Sequence, residues 1–438
     1  GIRRMFNIDE CILYRNFQQG DILEDMSRAL EICCLEPEEP GKSKSLFYSC
    51  MNRLVEMAST YGFTGNLWHS YLTYLLANHE NAFSTACEIT GPVEGTINQL
   101  ALHDFEIFKD LFNLDFSAFE NFYGSSSCCH LINEYENDSH GSKQFNERIS
   151  SRLNTLSNLL AASNSPEEFM KHMVDFYKDY GVGKLGLHKA FRLEHGPNDQ
   201  RVKIVPITKI AHVHLDDLVG YEIAKKKLID NTEAFLNGKP ANNCLLFGDA
   251  GTGKSSCIKA ILNQYYDRGL RIIEVYKHQF KDLNDVIAQI KNRNYKFIIY
   301  MDDLSFEDFE IEYKYLKAVI EGGLERKPDN ILIYATSNRR HLVREKFSDK
   351  ADRDDDLHTN DTVQEKLSLV YRFGVTIYFG SPSKKEFQQI VLTLAQKHGL
   401  HMDQEELFQQ ANAWELRHGG LSGRTAQQFI DYLLGQQA

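Results

Sequence analysis

A run of small and basic residues that begins at Gly248 has the composition of a phosphate-binding loop. The segment Gly248-Asp249-Ala250-Gly251-Thr252-Gly253-Lys254-Ser255 matches the pattern G-x-x-x-x-G-K-S/T at every specified position. Glycine lets the backbone curl around a phosphate without a Cβ clash, and the following helix start supplies N–H donors. We expect Lys254 to neutralise phosphate charge and Ser255 to coordinate Mg²⁺. The expected binding set also includes the next residue, Ser256.

Two carboxylates end an apolar stretch further along the chain. Phe297–Met301 reads as a buried strand, and Asp302 and Asp303 follow it directly. A parallel strand delivers Asp302 to the same edge of the sheet as the phosphate loop, where it is expected to hold Mg²⁺. Asp303 is then expected to orient or deprotonate a water molecule. The alternative is a strand that merely ends in a polar turn, and the phosphate loop upstream favours the functional interpretation.

Strands and helices alternate from Asn243 onward, which predicts a parallel sheet covered on both faces. The predicted strands are Cys244–Phe247, Arg271–Tyr276, Phe297–Met301, Ile331–Ala335 and Thr376–Phe379. Between the second and third of these strands, the pattern predicts a helix at Leu283–Lys291.

The first 180 residues read mainly as helices. Apolar side chains fall at helical spacing in Ser45 to Phe63, in Leu67 to Leu76 and in Ile149 to Leu160. The segment Ser165-Pro166-Glu167-Glu168 has the composition of a helix start, and Gly181 is a plausible end for that helix. These stripes predict the core of a helix bundle rather than a ligand groove, and we assign the region only a default role as a platform for a partner.

Composition limits the class of protein. The chain has 438 residues, a net charge of −12, 42% hydrophobic residues and 25% charged residues, as expected for a globular protein of two or three domains. The negative charge does not indicate nucleic-acid binding, and no apolar run is long enough to cross a membrane. Nine cysteines without scaffold spacing favour a reducing, cytoplasmic location.

Two cysteine doublets and one acidic segment offer alternative sites. Cys33-Cys34 and Cys128-Cys129, the latter beside His130, are interpreted as buried thiols, with a zinc site as the alternative. The segment from Asp349 to Asp361 contains six Asp and is interpreted as an exposed loop, with an acidic metal site as the alternative.

From about Leu215 onward, the chain resembles the AAA+ ATPases, because four further features follow the family's order. Leu218-Val219-Gly220-Tyr221 resembles the segment that borders adenine, so Val219 and Gly220 are expected at the base. Asn338 ends a second apolar strand and matches the first sensor. Arg372 resembles the arginine finger, which in this family reaches the ATP of a neighbouring subunit. Arg424 resembles the second sensor, which touches the γ-phosphate from a helical lid.

The resemblance implies an α/β fold: a parallel-sheet P-loop AAA+ core with a C-terminal helical lid, preceded by a mainly α-helical N-terminal domain. Together with the stretch Tyr180 to Arg192, the core is similar to a little-characterised bacterial family of predicted AAA+ ATPases with a helical N-terminal region. The expected domains are a helical domain at 1–180, a linker with a hairpin at 181–212, the nucleotide-binding domain at 213–381 and the lid at 382–438. A hairpin is expected around Gly196-Pro197-Asn198-Asp199.

Two departures from the family's pattern bear on activity. The usual second acid is Glu, whereas Asp303 is one methylene shorter, so slow hydrolysis is a possible outcome. Unfoldases usually place an aromatic pore loop after the second strand. Here Tyr276 and Phe280 are the candidates, but strand-end packing is the favoured interpretation, which argues against a peptide-threading motor.

The sequence therefore predicts an ATPase that binds ATP and Mg²⁺, forms a homo-oligomer and remodels, loads or regulates an unknown macromolecular partner. One alternative is an ATP-dependent binding switch with slow or absent hydrolysis. A P-loop kinase acting on a small molecule is a further alternative that the sensor-like motifs disfavour.

Overall fold

The computed structural model describes two compact units, which divide between His188 and Lys189. The described residues are 7–35, 40–123, 128–137, 145, 147–196, 201–304, 311–338 and 369–437. The acidic segment 349–361 lies outside them. Within the described ranges, no helix is long and apolar enough to cross a membrane.

The first unit is built from helices, as the spacing of its apolar residues predicts. Its helices are α1 (Asp21–Leu35), α2 (Pro40–Tyr61), α3 (Leu67–Asn78), α4 (Ala82–Thr90), α5 (Thr96–Phe112), α6 (Ser117–Tyr123), α7 (Cys128–Asn133), α8 (Glu147–Ala161), α9 (Pro166–Tyr180) and α10 (Lys184–Leu187). Their apolar faces meet in one core rich in aromatic rings, in which Trp68 and Phe105 are fully buried. The prediction of a bundle core in this region is confirmed.

Helix α9 shows how local sequence sets a boundary. Ser165 accepts a hydrogen bond from the Glu168 backbone N–H through its side chain, and Pro166 occupies the first turn. Gly181 ends the helix with φ of 82°, a conformation that glycine adopts without a Cβ penalty. The predicted start and end of this helix are both confirmed.

The second unit contains a seven-stranded sheet with the order β2-β1-β4-β5-β6-β3-β7. Its strands are β1 (Ala190–Glu194), β2 (Lys203–Ile207), β3 (Cys244–Gly248), β4 (Leu270–Glu274), β5 (Lys296–Met301), β6 (Ile331–Ser337) and β7 (Val375–Phe379). Strand β2 runs antiparallel to β1, and every other neighbouring pair is parallel. The five predicted strands are therefore present, with ends that differ by at most two residues.

The sheet is larger than the sequence predicted, because the hairpin before it joins its edge. Strands β1 and β2 form the expected hairpin, and β1 continues the sheet by pairing with β4, with Phe191 opposite Ile273. Phe191 is fully buried, so burial of its ring favours this attachment.

Helices flank the strands and follow the last one. They are α11 (Glu222–Leu236), α12 (Lys254–Tyr265), α13 (Leu283–Ile290), α14 (Ile311–Glu321), α15 (Lys384–Lys397), α16 (Gln404–Arg417) and α17 (Gly423–Gln436). Helices α15 to α17 have their own apolar core, centred on residues such as Phe387 and Phe429. We refer to these three helices as the lid, the name that the sequence analysis gave to this region, and the sheet carries a separate core beneath α11 and α12.

Candidate functional site

The phosphate-binding loop joins the end of β3 to the start of α12, in the order that the motif requires. Gly248 has φ of 147°, and a Cβ at this position would lie 2.0 Å from the carbonyl oxygen of Phe379 on β7. Only glycine fits there, since that separation is far below any real contact. Gly251 and Gly253 also have positive φ, of 77° and 92°. Glycine adopts positive φ without a Cβ clash, as expected for a loop that curls around a phosphate.

Lys254 points its ammonium group back into the loop. Its Nζ donates to the carbonyl oxygens of Gly248 at 3.1 Å and Asp249 at 2.6 Å, and lies 3.3 Å from the Thr252 hydroxyl. Burial lowers the pKa of Lys254 from 10.5 to about 8, against the opposing effect of nearby carboxylates. A buried ammonium with this geometry is poised to bind an anion, because an anion would restore its preference for the charged form.

The metal-binding residues predicted from the sequence lie together. The Ser255 hydroxyl donates to Asp302 Oδ1 at 2.9 Å, and the Thr336 hydroxyl donates to the same oxygen at 2.6 Å. Burial raises the pKa of Asp302. The hydrogen bonds from Thr336 and other hydroxyl groups lower it by more than burial raises it, so the pKa of this carboxyl lies below its ordinary value. A carboxylate and a hydroxyl oxygen are ligands that suit Mg²⁺.

Asp303 and Asn338 lie at the same edge of the sheet as the loop. Met301 pairs with Ala335, and Phe247 pairs with Ser337, so the ends of β5, β6 and β3 are level with one another. Both Asp303 and Asn338 have exposed side chains. Because β6 lies between β5 and β3, Asn338 sits between the paired carboxylates and the phosphate loop.

A cavity of about 310 Å³ opens beside the loop and is large enough for a small ligand. It lies among the loop, the start of α11 and the lid, and its walls combine apolar and polar groups. The lining includes Val219, Gly251, Thr252, Gly253, Ser256, Arg424 and Gln427. The cavity therefore joins apolar wall residues to the backbone of the loop.

The predicted base-binding segment is divided between two environments. Val219 and Tyr221 line the cavity, whereas Gly220 packs against the lid, where an added Cβ would lie 3.0 Å from Ile390 Cδ1. Tyr221 has φ of 57° and its ring lies 5.6 Å from that of Phe379. The segment thus joins the cavity wall to the lid and to the last strand.

Arg424 lies directly against the phosphate loop. Its backbone N–H is 3.3 Å from the Gly251 oxygen, and its side chain passes within 3.4 to 3.6 Å of the position that a Gly251 Cβ would occupy. The lid also meets the core at the cavity mouth through an ion pair of 2.5 Å between Lys397 and Asp217. These contacts place a cationic side chain of the lid beside the site of an expected phosphate.

Arg372 lies at the amino ends of the strands, whereas the phosphate loop lies at their carboxyl ends. It precedes β7, whose first residue, Val375, pairs with Cys244 at the start of β3, whereas the phosphate loop follows the end of β3. The side chain of Arg372 is half exposed and lies 3.4 Å from Glu321 Oε1. The structure does not bring it to the site of its own chain.

The two pore-loop candidates have different environments. Phe280 is fully buried, whereas Tyr276 is 47% exposed and stacks on His278. Only Tyr276 is therefore available at the surface, and it is followed by a short 3-10 helix at Lys277–Asp282 rather than by a long loop.

The cysteine doublets do not form a metal site among the residues that the structure describes. No group of three or more His, Cys, Asp or Glu there could hold a metal ion. Cys129 is buried, and burial raises the pKa of its thiol to about 12, as the interpretation of an inert thiol requires. The side chain of Cys34 lies outside the described set.

Sequence reasoning missed three residues at the site. Thr336 is 2% exposed and binds Asp302, Lys225 is 8% exposed and lines the cavity, and Asp217 anchors the lid. A signal existed only for Thr336, which is a buried hydroxyl in an otherwise apolar strand. Lys225 and Asp217 match no motif, and Asp217 meets Lys397 only because the lid packs against the core.

Comparisons with family models and with known proteins find relatives of this chain. A family model described as "Protein of unknown function (DUF815)" matches residues 186–437. The replication factor C large subunit of Staphylothermus marinus is 37% identical over 81 residues, which cover 18% of each protein. The chain thus spans less than a fifth of that curated relative.

Two solved structures align with about half of the chain. A RuvB mutant from Thermotoga maritima is 16% identical, with a TM-score of 0.35, and covers 51% of this chain and 65% of its own. C. elegans PCH-2 is also 16% identical, with a TM-score of 0.36, and covers 51% and 65%. Scores of this size say nothing about substrate or partner. The family match spans more than half of the chain, and the chain therefore belongs to the DUF815 family.

Proposed function

We propose that this chain binds ATP with Mg²⁺ and hydrolyses it at a site shared between two copies. The observation that carries the proposal is the convergence of three elements at one edge of the sheet. These are the phosphate loop with its inward-pointing Lys254, the Ser255–Asp302 pair 2.9 Å apart and the cavity lined by Arg424. Each element alone has a structural explanation, and together they match the three parts of MgATP.

The chain's own residues supply binding and orientation. Loop N–H groups and Lys254 would hold the phosphates, while Ser255 and Asp302 would hold Mg²⁺. The metal, when bound, would neutralise charge that develops on the phosphate oxygens. Asp303 and Asn338 would orient the attacking water, and Arg424 would couple the γ-phosphate to the lid.

The place of Arg372 supports a shared site. The five residues of β3 separate the level of Arg372 from the phosphate loop, a distance of roughly 16 Å at about 3.3 Å per residue. An arginine at the far edge can act on a phosphate only if that phosphate belongs to another copy. An arginine finger contributes about 10³ to 10⁵ in rate, so an isolated chain is expected to be nearly inactive.

The test is ATP turnover measured against protein concentration, with the assembled mass followed in parallel. Wild-type specific activity should rise as copies assemble. Arg372→Ala should bind ATP normally and lose about 10³-fold or more in turnover. Arg326→Ala is the control, because Arg326 is another surface arginine in an ion pair with a carboxylate, that of Asp329 at 3.4 Å. Specific activity that stays constant across the assembly range would refute the shared site.

A binding switch with little hydrolysis is the second candidate. The observation that favours it is Asp303, whose side chain is one methylene shorter than that of the usual Glu. Tight ATP binding without turnover at any concentration would support the switch. Rapid turnover that is lost in Asp303→Ala would reject it.

The wider role includes a partner. We infer that ATP-driven motion of the lid remodels, loads or regulates a macromolecule, for which the helical unit provides a platform. The nine cysteines lack the spacing of a disulfide scaffold, and a reducing, cytoplasmic setting is part of the proposal.

A further inference from the structure

We propose that Thr336 is a positioning residue for both carboxylates at the end of β5, and that it holds Asp303 in the conformation that makes a short acid effective. The proposal rests on the proposed hydrolysis of ATP, but one of its tests is independent of turnover.

Thr336 fixes three consecutive residues. Its hydroxyl donates to Asp302 Oδ1 at 2.6 Å and accepts from the Asp303 backbone N–H at 2.8 Å. Its backbone oxygen accepts from the Leu304 N–H at 2.7 Å. Thr336 is 2% exposed, so water does not compete for these bonds. The turn after β5 is therefore fastened to one residue of β6.

The fastened turn contains an unusual backbone conformation. Asp303 has φ of 55°, and among the described residues only Asn16 and Tyr221 are other non-glycine residues with positive φ. L-residues avoid this region, although Asp tolerates it better than most. Such a conformation persists where the surroundings determine it. Here the hydrogen bonds from Asp303 N–H and Leu304 N–H to Thr336 do so.

The conformation compensates for side-chain length. The direction of the Cα–Cβ bond depends on the backbone angles, so a left-handed residue aims its carboxylate differently from a residue that simply continues the strand. The usual acid at this position reaches further by one methylene. We infer that the held turn replaces that reach, and that a longer acid on the same turn would be misplaced.

The second carboxylate is oriented by the same hydroxyl. Asp302 Oδ1 accepts from Thr336 on one side and from Ser255 at 2.9 Å on the other. Without the Thr336 hydroxyl, Asp302 Oδ1 would keep the hydrogen bond from Ser255 on α12. Its carboxylate would then be oriented less firmly. One substitution should therefore disturb the metal ligand and the water-orienting group together while leaving the phosphate loop intact.

The first experiment measures ATP turnover and ATP affinity in assembled full-length protein. Thr336→Val keeps the volume and removes the hydroxyl, and should lower kcat by about ten- to a hundredfold, as expected for losing a hydrogen bond to a charged group. ATP affinity should change less than about threefold. Thr336→Ser should recover most of the rate, and Asp303→Glu should not exceed wild type. Thr73→Val, at a buried threonine of the helical unit, is the matched control.

The results of this experiment separate a positioning role from simple packing. Wild-type kcat in Thr336→Val would overturn the proposal. Equal loss in Thr336→Ser and Thr336→Val would also overturn it, because the hydroxyl would then not be the cause. A gain of rate in Asp303→Glu would refute the inference about side-chain length.

The second experiment needs no hydrolysis and compares thermal unfolding of Asp303→Gly and Asp303→Val. Glycine adopts φ of 55° freely, whereas a branched residue does not, so their midpoints should differ by about 3 °C or more. In a Thr336→Val background the difference should fall to less than half, because the Asp303 N–H has then lost the hydroxyl that holds this residue in its left-handed conformation. An unchanged difference would overturn the proposal. If wild type proves unable to hydrolyse ATP, the proposed function fails while this second test still decides the role of Thr336.

Discussion

Two aspartates, one in each compact unit, receive several hydrogen bonds in opposite surroundings. Asp104 on α5 is fully buried, and its carboxylate accepts the backbone N–H groups of Ile12, Leu13 and Tyr14 at 2.7 to 3.1 Å. Asp302 is exposed at the sheet edge and accepts two hydroxyl groups, from Ser255 and Thr336. The first carboxylate fastens a chain segment, and the second remains accessible to a ligand.

The hydrogen bonds that a carboxylate accepts do not by themselves show whether it stabilises the fold or can bind a ligand. A buried carboxylate that accepts several backbone N–H groups contributes to folding, and the remaining contact of Asp104 is the His103 ring at 2.9 Å, which belongs to the same helix. An exposed carboxylate beside a cationic loop can exchange a hydrogen bond from a hydroxyl group for a metal ion at little cost in free energy.

The largest expected effect tests the structural member of this pair. Asp104→Asn should lower the free energy of unfolding by about 3 kcal/mol or more, because an amide NH₂ would face backbone donors. ATP affinity should stay at the wild-type value. Chemical denaturation and titration with a fluorescent ATP analogue measure the two quantities. Asp175→Asn on the exposed face of α9 is the control, and equal destabilisation by both variants would contradict the assignment.

Lys254 provides the corresponding test at the site. Lys254→Ala should weaken ATP binding about a hundredfold, because a charged hydrogen-bond donor to phosphate is lost. The unfolding midpoint should not fall, since the native state keeps this ammonium buried at a cost. Lys227→Ala on the exposed face of α11 should bind normally. Wild-type affinity in the Lys254 variant would remove the loop from the proposed site.

The lowered pKa of Lys254 predicts how binding depends on pH. Bound phosphate favours the charged ammonium, so ATP binding should take up a proton above pH 8, where the free protein has lost it. Affinity should fall about tenfold between pH 7 and pH 9. Stability of the free protein changes with the opposite sign. The pKa of Lys254 in the native state is about 8, below its ordinary value of 10.5. The native protein therefore loses this proton as pH rises above about 8, and the cost of burying the charge is relieved.

Calorimetry in buffers of different ionisation heat measures this proton uptake. Lys254→Arg is the control, because guanidinium stays protonated at pH 9. Uptake that persists in Lys254→Arg would assign the proton to another group.

The ion pair between Asp217 and Lys397 should give the smallest effect. The hydrogen bond from Lys397 lowers the pKa of Asp217, so the pair is intact at neutral pH and is lost only in acid. Both side chains are more than a third exposed, and such pairs contribute about 0.2 to 1 kcal/mol. Asp217→Asn should therefore weaken ATP binding by no more than about fivefold, less so at high salt. The charge-reversed pair should restore affinity, and failure to do so would separate Asp217 from the lid.

Much of the fold was predictable because its signals are local. The strands before Gly248 and Asp302 are short apolar runs that end in polar residues, and α9 carries its own start and end. The phosphate loop needs eight consecutive residues, so its geometry follows from its sequence. The roles predicted for Asn338, Arg372 and Arg424 stay predictions, although the structure places Asn338 and Arg372 at opposite ends of the strands and Arg424 against the phosphate loop.

The amino-acid sequence by itself determined the strand–loop–helix unit, the paired carboxylates and the helical character of the first unit. The tertiary structure alone decided that the hairpin joins the sheet, that Lys225 and Asp217 border the cavity and that Thr336 holds Asp302 and Asp303. The physical reason is distance along the chain. Thr336 and Asp302 are 34 residues apart and meet only because β5 and β6 pair in one register, which no local pattern encodes.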